Sequence, residues 1–319
     1  MTLFTSGFPG GAEEETVDGV NIVRGGGRFT VYRTAKRYYR ETKVRFDVVI
    51  DEINTVPFLT PRFVNQGERK FALIHQLARE FWYYEMPYPI AWMGDHIFEG
   101  HWLEQYRNMT TVTVSESTRK DLIGLGFNDV RIVPNGLNAQ VSSMVPEKTS
   151  EPSLVFVGRL KKAKKPQDAV EAFTMLKEKH PHLKLTVIGD GYMLDAFRKA
   201  NTGVEFLGYV DRAIRDDVVA RSWAIIVPGV REGWGQVVTD ANALGTPAVG
   251  YDVPGLRDSI KDGYNGMLTD PSPSALAEGL DRLLSDQPLR MRMSADALKW
   301  AEGFSWDRSA AKFEEIIGE

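Results

Sequence analysis

Residues 227–251 read VPGVREGWGQVVTDANALGTPAVGY. The apolar run 224–227 predicts a strand ending at Val227. A loop rich in glycine follows, with Gly229, Gly233 and Gly235, and a helix is expected to begin near Gly235. Strand, glycine loop and helix N-terminus together make an anion site, because the first helical N–H groups lack partners and the helix dipole is positive there. Glycine lets the backbone approach the anion closely. Two acids flank the loop, Glu232 within it and Asp240 eight residues later. A carboxylate repels phosphate, so these acids suit hydroxyl groups, of a sugar or of a ribose. The bland alternative for Glu232 is a solvated loop acid. For Asp240 it is an acid favoured by the helix dipole, which is compatible with binding.

Outward from this segment the chain alternates strands and helices, an α/β pattern. Downstream of residue 152, strands are predicted at 153–157, 183–188, 204–207, 224–227 and 247–251. Helices are expected at 166–179, near 191–200, 212–221 and 235–244, over 273–303 and at 306–317. Upstream, strands are predicted at 2–5, 20–23, 47–50, 70–75, 111–114 and 130–133. The stretch 146–152 (PEKTSEP) is polar and bounded by prolines, which reads as an interdomain linker. The boundaries are thus 1–147 and 148–319, and 319 residues suit two domains.

Composition narrows the function classes. With 43% hydrophobic and 26% charged residues the chain is an ordinary globular protein. There is no cysteine, which excludes disulfides, thiolate metal sites and a cysteine nucleophile. Nothing asks for an oxidising compartment, so the cytoplasm is the default expectation. A net charge of −4 does not suggest nucleic acid. Residues 24–45 are the exception, with eight Lys or Arg against one acid and with Tyr32, Tyr38 and Tyr39 interleaved. A basic, aromatic helix there is a candidate for peripheral contact with an anionic membrane, at the inner face. The competing reading is a solvated helix face. Gly25–Gly26–Gly27 is expected to be a turn rather than a phosphate loop, because no clear helix start follows it.

Glu232, Gly233-Trp234-Gly235 and Asp240, followed by Gly245-Thr246-Pro247 and Asp252-Val253-Pro254-Gly255, resemble the donor signature of the family 4, or group 1, glycosyltransferases. That family's second acid is normally Glu, and Asp240 is one methylene shorter. Residues 155–160 (VFVGRL) with Lys164 and Lys165 resemble its diphosphate-contacting strand end. By position this implies roles for Gly158, Arg159 and Lys164. The chemistry agrees, since a guanidinium fork and an ammonium both stabilise a departing diphosphate. Gly208-Tyr209-Val210 resembles the turn that reads the nucleobase, and Gln236 and Val237 open the donor helix.

In the first half, His75 at a strand end, Ser115 and Thr118, and Pro134-Asn135-Gly136 stand in the order of the family's acceptor domain. Asp51, Glu52 and Asn54 lie beyond a strand C-terminus, where α/β ligands gather, and are candidate acceptor contacts. A lone histidine at a strand end is more often structural, and the resemblance alone lifts His75 to a catalytic candidate. Ser115 reads as a helix N-cap. His96 and His101 lack an HExxH pattern and suit a structural or surface role better than a metal. The aromatic residues 81–84, with Tyr88 and Trp92, fit an acceptor cleft, a lipid contact or packing between elements.

The resemblance implies a GT-B fold, two Rossmann-like domains facing across a cleft, with the helix near 305–318 returning to the first domain. It implies a retaining, hexosyltransferase-type enzyme that moves a sugar from a UDP- or GDP-sugar to a hydroxyl acceptor on a polysaccharide, glycolipid or small molecule. Arg159, Lys164, Glu232 and His75 are its catalytic candidates. No metal or cofactor is expected beyond the nucleotide sugar, because the protein supplies the positive charge. A complete first domain of this family opens with a strand, a glycine loop and a helix, and this chain is expected to begin at the second strand. The neighbours of a central strand would then lack a partner. A truncated start, a reorganised sheet and an inactive product remain open at this point, as does nucleotide-sugar binding without turnover. A nicotinamide dehydrogenase is disfavoured, because Gly189-Asp190-Gly191 stops short of G-x-G-x-x-G. A sugar epimerase sharing the fold is weaker still.

Overall fold

A computed structural model describes all 319 residues. The first domain contains β1 (Thr2–Thr5), β2 (Glu14–Val17), β3 (Val20–Arg24), α1 (Val31–Glu41), β4 (Val48–Ile53), β5 (Arg69–Ile74), α2 (Phe81–Glu85), α3 (Tyr88–Met93), α4 (Glu99–Leu103), β6 (Thr111–Thr113), α5 (Glu116–Gly124) and β7 (Val130–Ile132). Its strands form two separate sheets, β1-β3-β2 and an all-parallel β4-β5-β6-β7. β1 pairs only with β3 and β4 only with β5, so each has one open edge. No ladder joins β1 to β4. Strand β2, which pairs antiparallel with β3, escaped the sequence because Glu14 and Glu15 hide the alternation.

The second domain contains β8 (Ser153–Val157), α6 (Pro166–Lys177), β9 (Lys184–Ile188), α7 (Leu194–Ala200), β10 (Glu205–Gly208), α8 (Arg212–Arg221), β11 (Ala224–Val227), α9 (Gln236–Ala243), β12 (Ala248–Tyr251), α10 (Leu256–Ser259), β13 (Gly266–Thr269), α11 (Pro273–Ser285), α12 (Gln287–Ala301) and α13 (Trp306–Gly318). Its six strands are parallel and run β10-β9-β8-β11-β12-β13, the doubly wound order 3-2-1-4-5-6. Apolar strands such as AIIV and AVGY are buried throughout, as a sheet covered on both faces requires. One cluster, of 23 buried residues, includes side chains of α6, α11 and α12, and another, of 14, includes side chains of α8 and α9.

Three local expectations change. The predicted helix 273–303 is two helices, because Asp286 leaves helical geometry and accepts the Leu289 N–H at 2.9 Å as the N-cap of α12. A helix does follow Gly25–Gly27: α1 starts at Val31, and the Thr30 hydroxyl accepts the Gly27 N–H at 2.8 Å. The glycines serve close packing, since a Cβ on Gly25 would stand 2.7 Å from Thr34. The 146–152 stretch is not a free linker. Lys148 donates to the Ala220 carbonyl at 2.7 Å and to the Thr246 hydroxyl at 2.8 Å, and the Thr149 N–H reaches the Arg221 carbonyl. Helix α13, capped by Ser305, crosses back to the first domain, where Phe313, Ile316 and Ile317 join Phe71, Val112 and Val133.

Candidate active site

The sheet order reverses between β8 and β11, and α/β ligands bind beyond the strand ends at such a switch point. A cavity of about 280 Å³ lies there. Gly158 and Arg159 enter it from the end of β8, Lys164 from the turn before α6, and Glu232, Gln236, Val237 and Asp240 from the β11–α9 segment. Gly235 takes a φ of 87° as N-cap of α9, a conformation that favours glycine, and no side chain caps the helix. The first N–H groups of α9 therefore remain available to an anion at this end of the cavity. The Val230 N–H donates to the Ala163 carbonyl at 3.1 Å, which ties the two loops together.

Charge is organised around that helix end. Lys164 donates to Glu232, so the two line the cavity as a mutually neutralised pair. Burial, with Arg159 as a like-charged neighbour, draws the Lys161 ammonium below its ordinary pKa, and its Nζ stands 4.7 Å over the Phe81 ring of the first domain. Lys165 is structural. It adopts a left-handed φ of 48°, starts α6 and binds Asp168 at 2.8 Å.

The structure does not use every predicted donor residue in the same way. Asp240 lines the cavity, but its Oδ1 accepts from the Asn138 N–H at 2.8 Å, the Ala139 N–H at 3.4 Å and the Gln236 side chain at 3.2 Å. Its Oδ2 accepts from Asn138 Nδ2 at 3.3 Å. The carboxylate thus fastens the chain that joins the domains. Trp234 packs against Phe304, 5.2 Å between ring centroids, and not against the cavity. Gly233 faces the first domain, where a Cβ would stand 2.6 Å from the His75 carbonyl oxygen. Gly208, Tyr209 and Val210 end β10 outside the cavity lining. Gly208 has a φ of 70° and Tyr209 is 86% exposed.

In the first domain, His75 reaches the β11–α9 loop by its backbone. Its imidazole pKa is lowered by burial, against the opposing charge of Glu52. Asp51 is a correction: it is 1% exposed, and its carboxylate accepts from the Thr60 hydroxyl at 3.0 Å and from the buried Tyr106 hydroxyl. It is a post inside the first domain, whereas Glu52 and Asn54 are exposed at the end of β4 and beyond it. Gly136 is also structural. A Cβ there would collide with Trp306, and its carbonyl accepts the Gln236 side chain at 2.7 Å. Ser115 caps α5, as its position predicts. No cluster of three His, Asp or Glu side chains is placed to hold a metal ion.

Two groups of residues escaped the sequence reading. Arg231, 5% exposed, bonds Glu80 at 2.5 Å and Asp121 at 2.7 Å, two separate elements of the first domain. Burial alone would raise the Glu80 carboxyl pKa, yet Arg231 holds it below the ordinary value. Glu85 adds a second tie, accepting from the Ala163 N–H at 3.0 Å and the Tyr192 hydroxyl at 3.1 Å. Of the aromatic residues of α2, Phe81 meets Lys161 of the second domain, whereas Trp82 packs at Gly94 and Tyr83 against Tyr88 within the first. Arg215 and Asp216 of α8 also line the cavity, and nothing in their sequence context marks them.

A family model for glycosyl transferases group 1 matches residues 142–300. Over these residues the chain is similar to the group 1 glycosyltransferases. The group 1 segment holds the whole cavity lining. An uncharacterized glycosyltransferase of Methanocaldococcus jannaschii is 30% identical over 234 residues, 66% of this chain and 60% of that protein. The chain spans about half the length of the curated relatives it matches, from 42% to 60%. Among solved structures, a sucrose-phosphate synthase from Thermosynechococcus elongatus superposes with a TM-score of 0.77 at 16% identity, covering 99% of this chain and 88% of that one. The Anabaena protein HepE, solved with UDP and glucose, gives 0.71 at 15%, covering 94% and 86%. The group 1 segment and its partner domain thus adopt the GT-B fold.

Proposed function

We propose that this chain is a retaining glycosyltransferase of family 4 that moves a hexose from a nucleotide-diphosphate sugar to a hydroxyl acceptor. The observation that carries this is the cavity at the β8–β11 switch point, where Arg159, Lys164 and the uncapped start of α9 converge beside Glu232. The UDP bound by HepE supports a nucleotide donor.

The diphosphate lies between the Arg159 fork and the N–H groups of Gln236 and Val237. Lys164 exchanges Glu232 for a phosphate oxygen, which frees Glu232 to accept hydroxyl hydrogen bonds from the donor sugar. The bond from C1 to the leaving oxygen breaks, and its electron pair departs with the diphosphate. Arg159, Lys164 and the helix dipole stabilise the charge that develops. The acceptor oxygen bonds to C1 on the same face and passes its proton to a leaving phosphate oxygen. His75, held neutral by burial, orients the sugar from the first domain. Glu52 and Asn54 stand at the acceptor side.

A second reading is nucleotide-sugar binding without turnover, and the open edges of β1 and β4 favour it. Incubation with UDP- and GDP-sugars, with and without a saccharide acceptor, separates the two. Release of nucleotide diphosphate is the expected outcome, and tight binding with no release supports the second reading.

The acceptor side also bears a basic surface. Arg28, Arg33, Arg37, Arg40, Lys43 and Arg45 are exposed beside Phe29, 83% exposed, and Val44, 55% exposed. Apolar groups among cations suit an anionic bilayer surface, at about 1 kcal/mol per basic residue. Sedimentation with vesicles of phosphatidylglycerol but not phosphatidylcholine is the expected outcome. Equal recovery in both supernatants refutes the contact.

A further inference from the structure

Three acids line the cavity, and they differ in what they have free. Glu232 is paired with Lys164. Asp240 is engaged on both oxygens by four N–H donors from the interdomain connection and Gln236. Asp216 has one oxygen, Oδ1, held by Arg215 Nε at 2.8 Å, and no hydrogen bond to Oδ2. Arg215 Nη2 lies 2.6 Å from the same Oδ1 but is not aligned for a hydrogen bond, so a buried N–H group lacks an acceptor. The pair is half-buried, with side-chain exposures of 25% and 21%.

The two helices place this pair at a definite level of the cavity. The Thr246 hydroxyl, just past α9, donates to the Val219 carbonyl of α8 at 2.7 Å. Going back about one turn from that point along α8 reaches Arg215 and Asp216. Going back along α9 reaches Asp240 and Ala241. Asp216 therefore faces the cavity at the level of Asp240, one turn, or about 6 Å, below the anion-binding start of α9. A ribose 2′,3′-diol, joined to its 5′-phosphate through C4′ and C5′, spans a similar separation. Val219, Ala241 and Leu244 supply the apolar floor that a ribose and its base can cover.

We propose that Asp216, steered by Arg215, is the carboxylate that binds the ribose 2′,3′-diol of the donor nucleotide, the role that the family signature would give to Asp240. This rests on the donor-site reading above. The diol donates to Asp216 Oδ2, the carboxylate oxygen that Arg215 leaves free. Asp240 is a positioning residue that fixes the start of the connection at Asn138 and Ala139.

The test is calorimetric titration of UDP and GDP, each against its 2′,3′-dideoxy counterpart, into the full chain. Wild type is expected to prefer one ribonucleotide over its dideoxy form by about 10- to 100-fold, the scale of hydrogen bonds to charged groups. Asp216→Ala, and to a lesser degree Asp216→Asn, should bring that ratio close to one, with an unchanged unfolding midpoint showing that the fold is intact. Asp240→Asn should lower the unfolding midpoint and keep the ratio. Binding with undiminished ribose preference in Asp216→Ala overturns this assignment and leaves the donor site standing. Failure of wild type to bind either nucleotide overturns the donor site and this assignment together.

Discussion

In the second domain one parallel sheet of six strands is flanked by clusters of 23 and 14 buried residues. In the first, the parallel sheet has four strands with clusters of nine and four, and three further strands stand apart with β1 and β4 unpaired on one edge. The two domains share a plan but differ in the extent of their sheets and cores. The well-packed domain carries the cavity proposed as the donor site, where charges must be held in fixed geometry before a reaction gains from them. The first domain meets it through backbone at His75 and through charged ties at Glu80, Glu85 and Asp121.

The largest expected difference between the domains is in local stability. Amide exchange of β8 and β11 should be slower than that of β1 and β4 by about a thousandfold, because few buried contacts protect the open edges. Mass-spectrometric exchange measures this, and equal protection in both domains breaks the comparison. Next in size is catalysis. Arg159→Ala should lower kcat by about 100- to 1000-fold, as loss of one charge-stabilising donor does. His75→Ala, on the first-domain side, should cost about tenfold through orientation alone. Steady-state kinetics of donor turnover check both, and a larger loss from His75→Ala would reverse the assignment of roles.

The ties come next. Arg231→Ala leaves Glu80 and Asp121 without their shared cation. The expected loss is about 2 kcal/mol, below the 3–5 kcal/mol of a fully buried pair because Glu80 is half exposed. Denaturant unfolding of the full chain reads this as a lower midpoint, and an unchanged midpoint shows that the domains are not held there. The smallest effect concerns Lys148, whose ammonium pKa is drawn down to about 7 by burial, with Arg290 adding to the shift. The unfolded chain keeps that proton up to a lysine's ordinary pKa of about 10.4, and the folded chain sheds it near 7. Stability therefore rises with pH between those values. Lys148→Met should flatten that rise and add about 1 kcal/mol at pH 7. A slope identical to wild type would show that the ammonium is not desolvated in the fold.

Most of this architecture was legible in the sequence. Val227, the glycines after it and the apolar strands around it announce a strand, loop and helix at a switch point because each local choice agrees with the others. The family resemblance put Arg159 and Lys164 beside that loop, and both line the cavity. Three things were not. Asp240 reads as a ligand contact, but the partners that engage it, Asn138 and Ala139, lie about 100 residues away and only folding brings them together. Asp51 sits where an acceptor contact is expected, yet Thr60 and Tyr106 close over it. Arg215, Asp216 and Arg231 lie in ordinary charged stretches, and their importance comes from the helix level and the domain contact they reach.

The central claim is that the cavity at the β8–β11 switch point is a donor site. Calorimetric titration of UDP- and GDP-sugars into wild type, Arg159→Ala and Glu232→Ala tests it most directly. The account predicts one-to-one binding of one of these donors to wild type, and loss of at least tenfold in affinity in both variants at an unchanged unfolding midpoint. Equal affinity in all three proteins would contradict it.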